Sequence, residues 1–229
     1  MNIYERMMNL NQHQILSIHL LIPNKDIEIL TASSINSSFT RLESLTLDTM
    51  QPNILLNLLF DLASLPRLFS LVIMHWDELQ ELGDFYELIF NLPKLKYMKF
   101  YVSGYSAGIV SLPMPSSQSV STIEHLVVSH PCTSQELSTI IAYIPNLSRL
   151  SVSHELNINE NFPITLPISN LTYLSMYLTF VSFDEFQILI SKIHPKLKIL
   201  RLAVTFDDRT YLDVRRWEQL ILQHLPELE

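Results

Sequence analysis

Apolar residues recur along this chain in one spacing, L-x-x-L-x-L, whose last two positions flank a single residue. Leu65–Ile73 (LPRLFSLVI) shows it plainly, with Leu68, Leu71 and Ile73 following Leu65. Leu92–Phe100 (LPKLKYMKF), Ile144–Val152 (IPNLSRLSV) and His194–Leu202 (HPKLKILRL) repeat it, and Leu225-Pro226-Glu227-Leu228 begins it again. Copies without the proline lie at Leu42, Leu45, Leu47; at Ile123, Leu126, Val128; and at Leu171, Leu174, Met176. A faint one lies at Ile15, Ile18, Leu20. Alternation within each copy predicts a strand, because side chains two residues apart share a face. With Ile18, Leu45, Leu71, Met98, Leu126, Leu150, Leu174 and Leu200 as a ruler, the steps are 27, 26, 27, 28, 24, 24 and 26 residues. A fixed period of this kind marks stacked units, each covering its neighbour's apolar face.

Between the strands the apolar spacing changes to that of a helix. Ile54, Leu55, Leu58, Leu59 and Leu62 share one face, as do Leu79, Leu82, Phe85, Leu88, Ile89 and Leu92. Leu137, Ile140, Ile141 and Ile144 form a third face. Phe183, Phe186, Leu189, Ile190 and Ile193 form a fourth, and Trp217, Leu220, Ile221 and His224 a fifth. Thr133-x-x-Glu136 and Ser182-x-x-Glu185 read as capping boxes, and Asp77 and Pro52 stand where an N-cap and an early helical residue belong. Pro66, Pro93, Pro145, Pro195 and Pro226 each follow a helix face and precede a strand leucine by two residues. Proline cannot extend a helix and biases its predecessor to extended geometry, so the motif is a helix-to-strand switch. Tyr101–Ser121, with Gly104, Gly108, Pro113 and Pro115, shows no helical period, and neither does Glu155–Ser169, with Pro163 and Pro167. Those two return limbs are expected to be extended or looping.

The chain reads as a single domain over residues 1–229 with about eight repeats and no linker, expected to be a fragment lacking one or both caps. Hydrophobic residues make up 48% and charged residues 17%, which supplies a large core and excludes disorder. No apolar run reaches the roughly 18 residues of a membrane helix, so no membrane partner is expected. The polar N-terminus lacks a signal-peptide core, and the single Cys132 allows no internal disulfide. Both point to an intracellular setting, cytoplasmic or nuclear, in which the sequons at Asn36, Asn146 and Asn170 are chance matches. A net charge of −8 disfavours nucleic acid as the main partner, since phosphate binding relies on clustered Lys and Arg.

These repeats resemble leucine-rich repeats, which implies an α/β solenoid. Its form is an arc like that of ribonuclease inhibitor, with a parallel sheet on the concave face and helices or irregular limbs on the convex face. The segments LTYLSMYLTFVSFDEFQILISKIHPKLKILRL and DDRTYLDVRRWEQLILQHLPELE resemble the C-terminal repeats of F-box proteins. That resemblance implies a substrate-recognition module of a ubiquitin-ligase receptor. A Skp-type adaptor would be engaged only through an F-box, which is missing here. The alternative is a free-standing repeat scaffold that binds a protein outside the ubiquitin pathway. The chain departs from the usual repeat in having no asparagine or cysteine ladder after the strands, where Met50, Trp76, Ser103, Pro131, Glu155, Thr179 and Thr205 stand instead.

No catalytic motif is present, and only three glycines (Gly83, Gly104, Gly108) are available to wrap a phosphate, so no enzyme and no cofactor is expected. Cys132 beside His130 reads as a turn rather than a nucleophile pair. His75, His130 and His154 fall at one place past their strands; only His130 and His154 are in consecutive repeats, Val102 breaks the row to His75, and with no third ligand beside that pair they read as a polar loop rim, not a metal site. Trp76 and Trp217 read as packing residues, and Asp207-Asp208-Arg209 and Arg215-Arg216 as solvated charge. If the leucines point inward, the residues between and beside them point out onto the concave face. The first three strands present mostly small or aliphatic groups there. From the fourth strand onward come Tyr97, Lys99, Tyr101, His125, Arg149, Tyr173, Tyr177 and Arg201. Tyr and Arg dominate interface hot spots, so these eight residues are the expected protein-binding site.

Overall fold

Every complete apolar copy forms a strand. In the computed structural model the described residues are 10–21, 35–76, 79, 81–103, 110–113, 115, 120–157 (backbone alone at 154–157), 169–193, 196–205 and 208–229. The strands are β1 (Ser17–Leu21), β2 (Ser44–Asp48), β3 (Ser70–His75), β4 (Tyr97–Val102), β5 (His125–Ser129), β6 (Cys132–Thr133), β7 (Arg149–Asn157), β8 (Tyr173–Thr179) and β9 (Ile199–Thr205). They make one parallel sheet in chain order, with the two-residue β6 pairing onto β7 beside the main path. Ile18, Leu45, Leu71, Met98, Leu126, Leu150, Leu174 and Leu200 are successive register partners across all eight main strands. The ruler read from the sequence is therefore the register of the sheet. A one-residue slip would turn every leucine of a strand outward, and that fixes the pairing.

A shared backbone device starts every main strand after β1. The Leu16 carbonyl accepts from both Glu43 and Ser44 N–H, at 2.8 and 3.1 Å. Carbonyls of Glu43, Phe69, Lys96, Glu124, Ser148 and Thr172 do the same for the next repeat, and Glu229 N–H reaches Lys198 O at 2.9 Å. Each strand entrance is thus set by the one before it.

The helices are α1 (Pro52–Leu62), α2 (Gly83–Phe90), α3 (Ser134–Ala142), α4 (Phe183–Ser191) and α5 (Val214–His224). The faces expected for α1, α3 and α4 are the buried ones. Both capping boxes form, with Glu136 and Glu185 N–H donating to the Thr133 and Ser182 hydroxyls. At the helix ends Leu65, Leu92, Ile144 and Ile193 donate to carbonyls three residues back, at 2.8–3.1 Å. Proline follows the first three at once and stops the turn; Pro195 lies outside the described residues.

Two elements depart from expectation. Helix α2 was expected to start near Asp77, which lies outside the described residues. It begins at Gly83, with Leu82 at the N-cap and no side-chain cap. Its buried face is Phe85, Tyr86, Ile89 and Phe90, while Leu88 is only half-buried. Asp208 is not merely solvated: it accepts from Phe183 N–H at 3.0 Å, Thr210 N–H at 2.9 Å and the Thr210 hydroxyl at 2.6 Å. A 3-10 helix (Arg209–Leu212) follows it.

The limb after β4 is irregular, as expected, where it is described; Gly104 and Gly108 lie outside the described residues. It is tied down by side chains of the next repeat. Val110 N–H donates to Glu136 at 3.0 Å, and the Tyr143 hydroxyl donates to Pro113 O at 2.6 Å. The first residues of the Glu155–Ser169 limb are the end of β7, extended to Asn157 with a register irregularity between Val152 and Leu156; residues 158–168, with Pro163 and Pro167, lie outside those described.

Buried leucine, isoleucine and phenylalanine run continuously between the sheet and the helices from Leu20 to Leu225. At the β9 end the inward residues Leu200, Leu202 and Val204 are only half-buried, and a cavity of about 860 Å³ opens among Leu202, Val204, Asp208, Arg209, Tyr211, Leu212 and Trp217. Among the described residues no helix is long and apolar enough to cross a membrane.

Candidate functional site on the concave face

The register stacks the outward side chains into three rows. The first runs Ser17, Ser44, Ser70, Tyr97, His125, Arg149, Tyr173, Ile199. The second runs His19, Thr46, Val72, Lys99, Val127, Ser151, Ser175, Arg201. The third holds Leu21, Asp48, Met74, Tyr101 and Ser129, with Tyr177 and Ala203 further along. Ser153 adjoins it through a hydroxyl contact with Ser129 at 2.5 Å.

Five of the eight expected residues form a continuous band. The Tyr97 and His125 rings meet edge-on at 4.8 Å. His125 is the register neighbour of Arg149, whose guanidinium lies 5.4 Å from the centre of the Tyr173 ring. Arg201, one strand further and two residues along, reaches back to the same ring at 5.6 Å. Burial holds the His125 ring below its ordinary pKa, and the charge of Arg149 adds to the effect. Partial burial likewise raises the Tyr97 hydroxyl. Both shifts favour a neutral side chain at neutral pH, so His125 and Tyr97 offer contact area and hydrogen bonds while the arginines carry the charge.

The other three expected residues flank the band. Lys99 lies in the second row between Val72 and Val127. The Tyr177 hydroxyl accepts from Thr205 at 3.1 Å. Tyr101 belongs to a second focus that the sequence reading missed. Its ring packs against Trp76 at 5.0 Å, and Trp76 Nε1–H donates to Asp48 at 2.8 Å. Trp76 is 54% exposed, so it is a rim residue and not the packing residue expected. Its position one residue past a strand, beside an outward tyrosine, was the available signal. Trp217 does pack, against Phe183 and Phe186, and its indole N–H donates to Tyr211 O at 2.8 Å.

At the strand entrances acid meets base: Arg67 pairs with Glu43 and Lys96 with Glu124, both at 2.5 Å, and Lys198 with Glu229 at 3.1 Å. Among the described residues Lys99, Arg149 and Arg201 take part in no such pair.

The histidine rim is corrected. His130 is fully buried, with Nε2 2.6 Å from the Tyr86 hydroxyl, and His75 is buried too; the side chain of His154 lies outside the described residues. Both continue the inward alternation of their strands, His75 after Leu71 and Ile73, and His130 after Leu126 and Val128. Cys132 is buried, and desolvation, followed by the charge of Glu136, pushes its thiol up to about 12, so it is protonated at neutral pH. Among the described residues no three His, Cys, Asp or Glu side chains converge on a metal-sized site.

A parallel sheet of register-matched L-x-x-L-x-L strands, backed by helices and irregular limbs, defines a leucine-rich-repeat solenoid. The comparison with solved structures agrees. The chain is similar to TLR13, a leucine-rich-repeat protein, in the crystal structure of a TLR13–ssRNA13 complex. The TM-score is 0.54 and the identity 16%, over 94% of this chain and 28% of that one. At that identity the likeness is one of fold, and the chain spans little more than a quarter of TLR13. No protein-family model and no curated protein matches the chain.

Proposed function

We propose that the chain is a non-enzymatic protein-recognition module that binds its partner on the concave face through Tyr97, Lys99, Tyr101, His125, Arg149, Tyr173, Tyr177 and Arg201. The observation that supports this best is the band from Tyr97 to Arg201. Aromatic and guanidinium groups adjoin on a rigid sheet, where few rotors remain to be frozen on binding. The Trp76–Tyr101 pair extends the surface to the rim. The F-box resemblance makes the bound protein a target for ubiquitylation, inside the cell, with a Skp-type adaptor engaged through an F-box. The neighbouring fold is solved with ssRNA13, but a net charge of −8 opposes a long polyanion on this chain.

The test is quantitative capture with wild type and the triple variant Tyr97→Ala/Tyr173→Ala/Arg201→Ala, with folding checked by circular dichroism. Proteins that bind wild type and drop out with the variant support the reading; an unchanged set with a folded variant refutes the surface. Co-purification of a Skp-type adaptor and a cullin with the protein expressed from its full reading frame tests the ubiquitin-ligase role.

A further inference from the structure

The concave face segregates charge. The chain carries −8 overall, yet along the three rows from β3 to β9 the charged side chains are Lys99, Arg149 and Arg201, with no carboxylate among them. Glu155 lies further along β7, within the irregularity between Val152 and Leu156, and its side chain is outside those described. Arg149 and Arg201 hang over one ring, Tyr173, and neither is neutralised by an acid among the described residues. Two like charges gathered at one ring repel each other, and an anion bound beside them offsets that repulsion while accepting hydrogen bonds.

We propose that Arg149 and Arg201, held at the Tyr173 ring, grip a carboxylate of an extended acidic segment of the partner protein, which runs across the strands toward Lys99. This rests on the concave face being the binding surface. Lys99 and Arg201 lie in the same row, four strand spacings apart, about 19 Å at the usual interstrand distance. That span matches about six extended residues. The row between them holds only Val127, Ser151 and Ser175, a low floor with two hydroxyls able to donate. Tyr97 and Tyr173 stand beside it as walls for the segment's apolar side chains. A short peptide stays within the field of this patch, which reaches about 8–10 Å at physiological salt. A longer polyanion such as single-stranded RNA would run out over a molecule of the same sign.

The test uses the full chain to select from a random library of octapeptides, with an eight-nucleotide oligouridylate measured in parallel by fluorescence anisotropy. The selected peptides are expected to be rich in Asp and Glu and to bind about tenfold or more weakly to Arg149→Gln/Arg201→Gln. They are also expected to lose affinity as salt rises. Both arginines are exposed, and thermal melting confirms that the variant folds. Neutral or basic peptides whose binding is lost in Tyr97→Ala/Tyr173→Ala would overturn the acidic segment while leaving the concave surface standing. Peptides that bind both variants as well as wild type would overturn the surface as well. Failure to enrich any peptide would also refute the proposal, as would oligouridylate binding more tightly than the best peptide through the same arginines.

Discussion

Tyr86 and His130 form the most consequential polar contact in the core, because both are fully buried. His130 Nδ1 lies 3.0 Å from the Pro131 carbonyl, which calls for a proton on Nδ1 and leaves Nε2 to accept from the Tyr86 hydroxyl. The hydroxyl can only donate there. Burial, followed by the charges of Cys132 and Glu136, holds its pKa well above the ordinary value. Tyr86→Phe removes the donor but not the acceptor, so the buried ring nitrogen loses this hydrogen bond. The expected cost is about 1–3 kcal/mol, read as a lower urea midpoint at unchanged slope. An unchanged midpoint would mean that the pair contributes nothing net. The neighbouring Cys132 thiol, pushed up to about 12 by burial, is expected to resist iodoacetamide at pH 8 in the native protein and to react once urea exposes it.

At the scale of elements, the two capping boxes are alike in sequence but not in what depends on them. Among the described residues Glu185 bonds only at its own helix start, accepting from Ser182 N–H and hydroxyl at 2.7 Å. Glu136 does the same for α3, and its second oxygen also takes Val110 N–H from the irregular limb of the preceding repeat. Glu136→Ala should therefore destabilise by about 1 kcal/mol more than Glu185→Ala, measured by urea unfolding; equal losses would show that the limb is held without that bond. The same limb explains Gly83. A Cβ at that position would sit 2.1 Å from the Ser111 carbonyl oxygen, a backbone atom that a rotamer change cannot move. Gly83→Ala is expected to cost about 1–3 kcal/mol by pushing limb and helix apart, whereas alanine usually stabilises a helix position. A neutral or stabilising result would show that the limb yields freely.

Across the whole molecule, the fold was legible because period, alternation and prolines are written locally. The ruler from Ile18 to Leu200 is the register itself, and the register placed Tyr97, His125, Arg149 and Tyr173 in one row. The diagonal reach of Arg201 to Tyr173 and the Asp48–Trp76–Tyr101 chain were not legible, whereas the burial of His130 was available in the alternation it shares with Leu126 and Val128. The first two depend on where a long side chain turns, which spacing does not encode. Asp208 was missed for the same reason, and it governs how the last repeat is held. Its carboxylate joins Phe183 at the start of α4 to Thr210 in the 3-10 helix, and rings of Tyr211 and Trp217 then pack on Phe183 at 5.3 and 5.2 Å. The Thr210 hydroxyl bond, then the Phe183 and Thr210 N–H bonds, hold its pKa below the ordinary carboxylate value; burial opposes them and Arg216 adds a little. With the folded value depressed, the unfolded chain binds more protons in the acid window. The contribution of Asp208 is then complete above the ordinary aspartate value of about 3.9 and is lost as pH falls through the folded value. Asp208→Asn keeps the shape but cannot titrate. The thermal midpoint of wild type should exceed that of the variant by a constant amount from about pH 5 to 7, and the gap should close as pH drops below about 4. Hydrogen exchange should place the acid-induced loosening in β9 and α5, while β2 to β5, paired on both sides, keep their protection. A gap that stayed constant down to about pH 2 would show that the Asp208 charge does not hold the repeat in place.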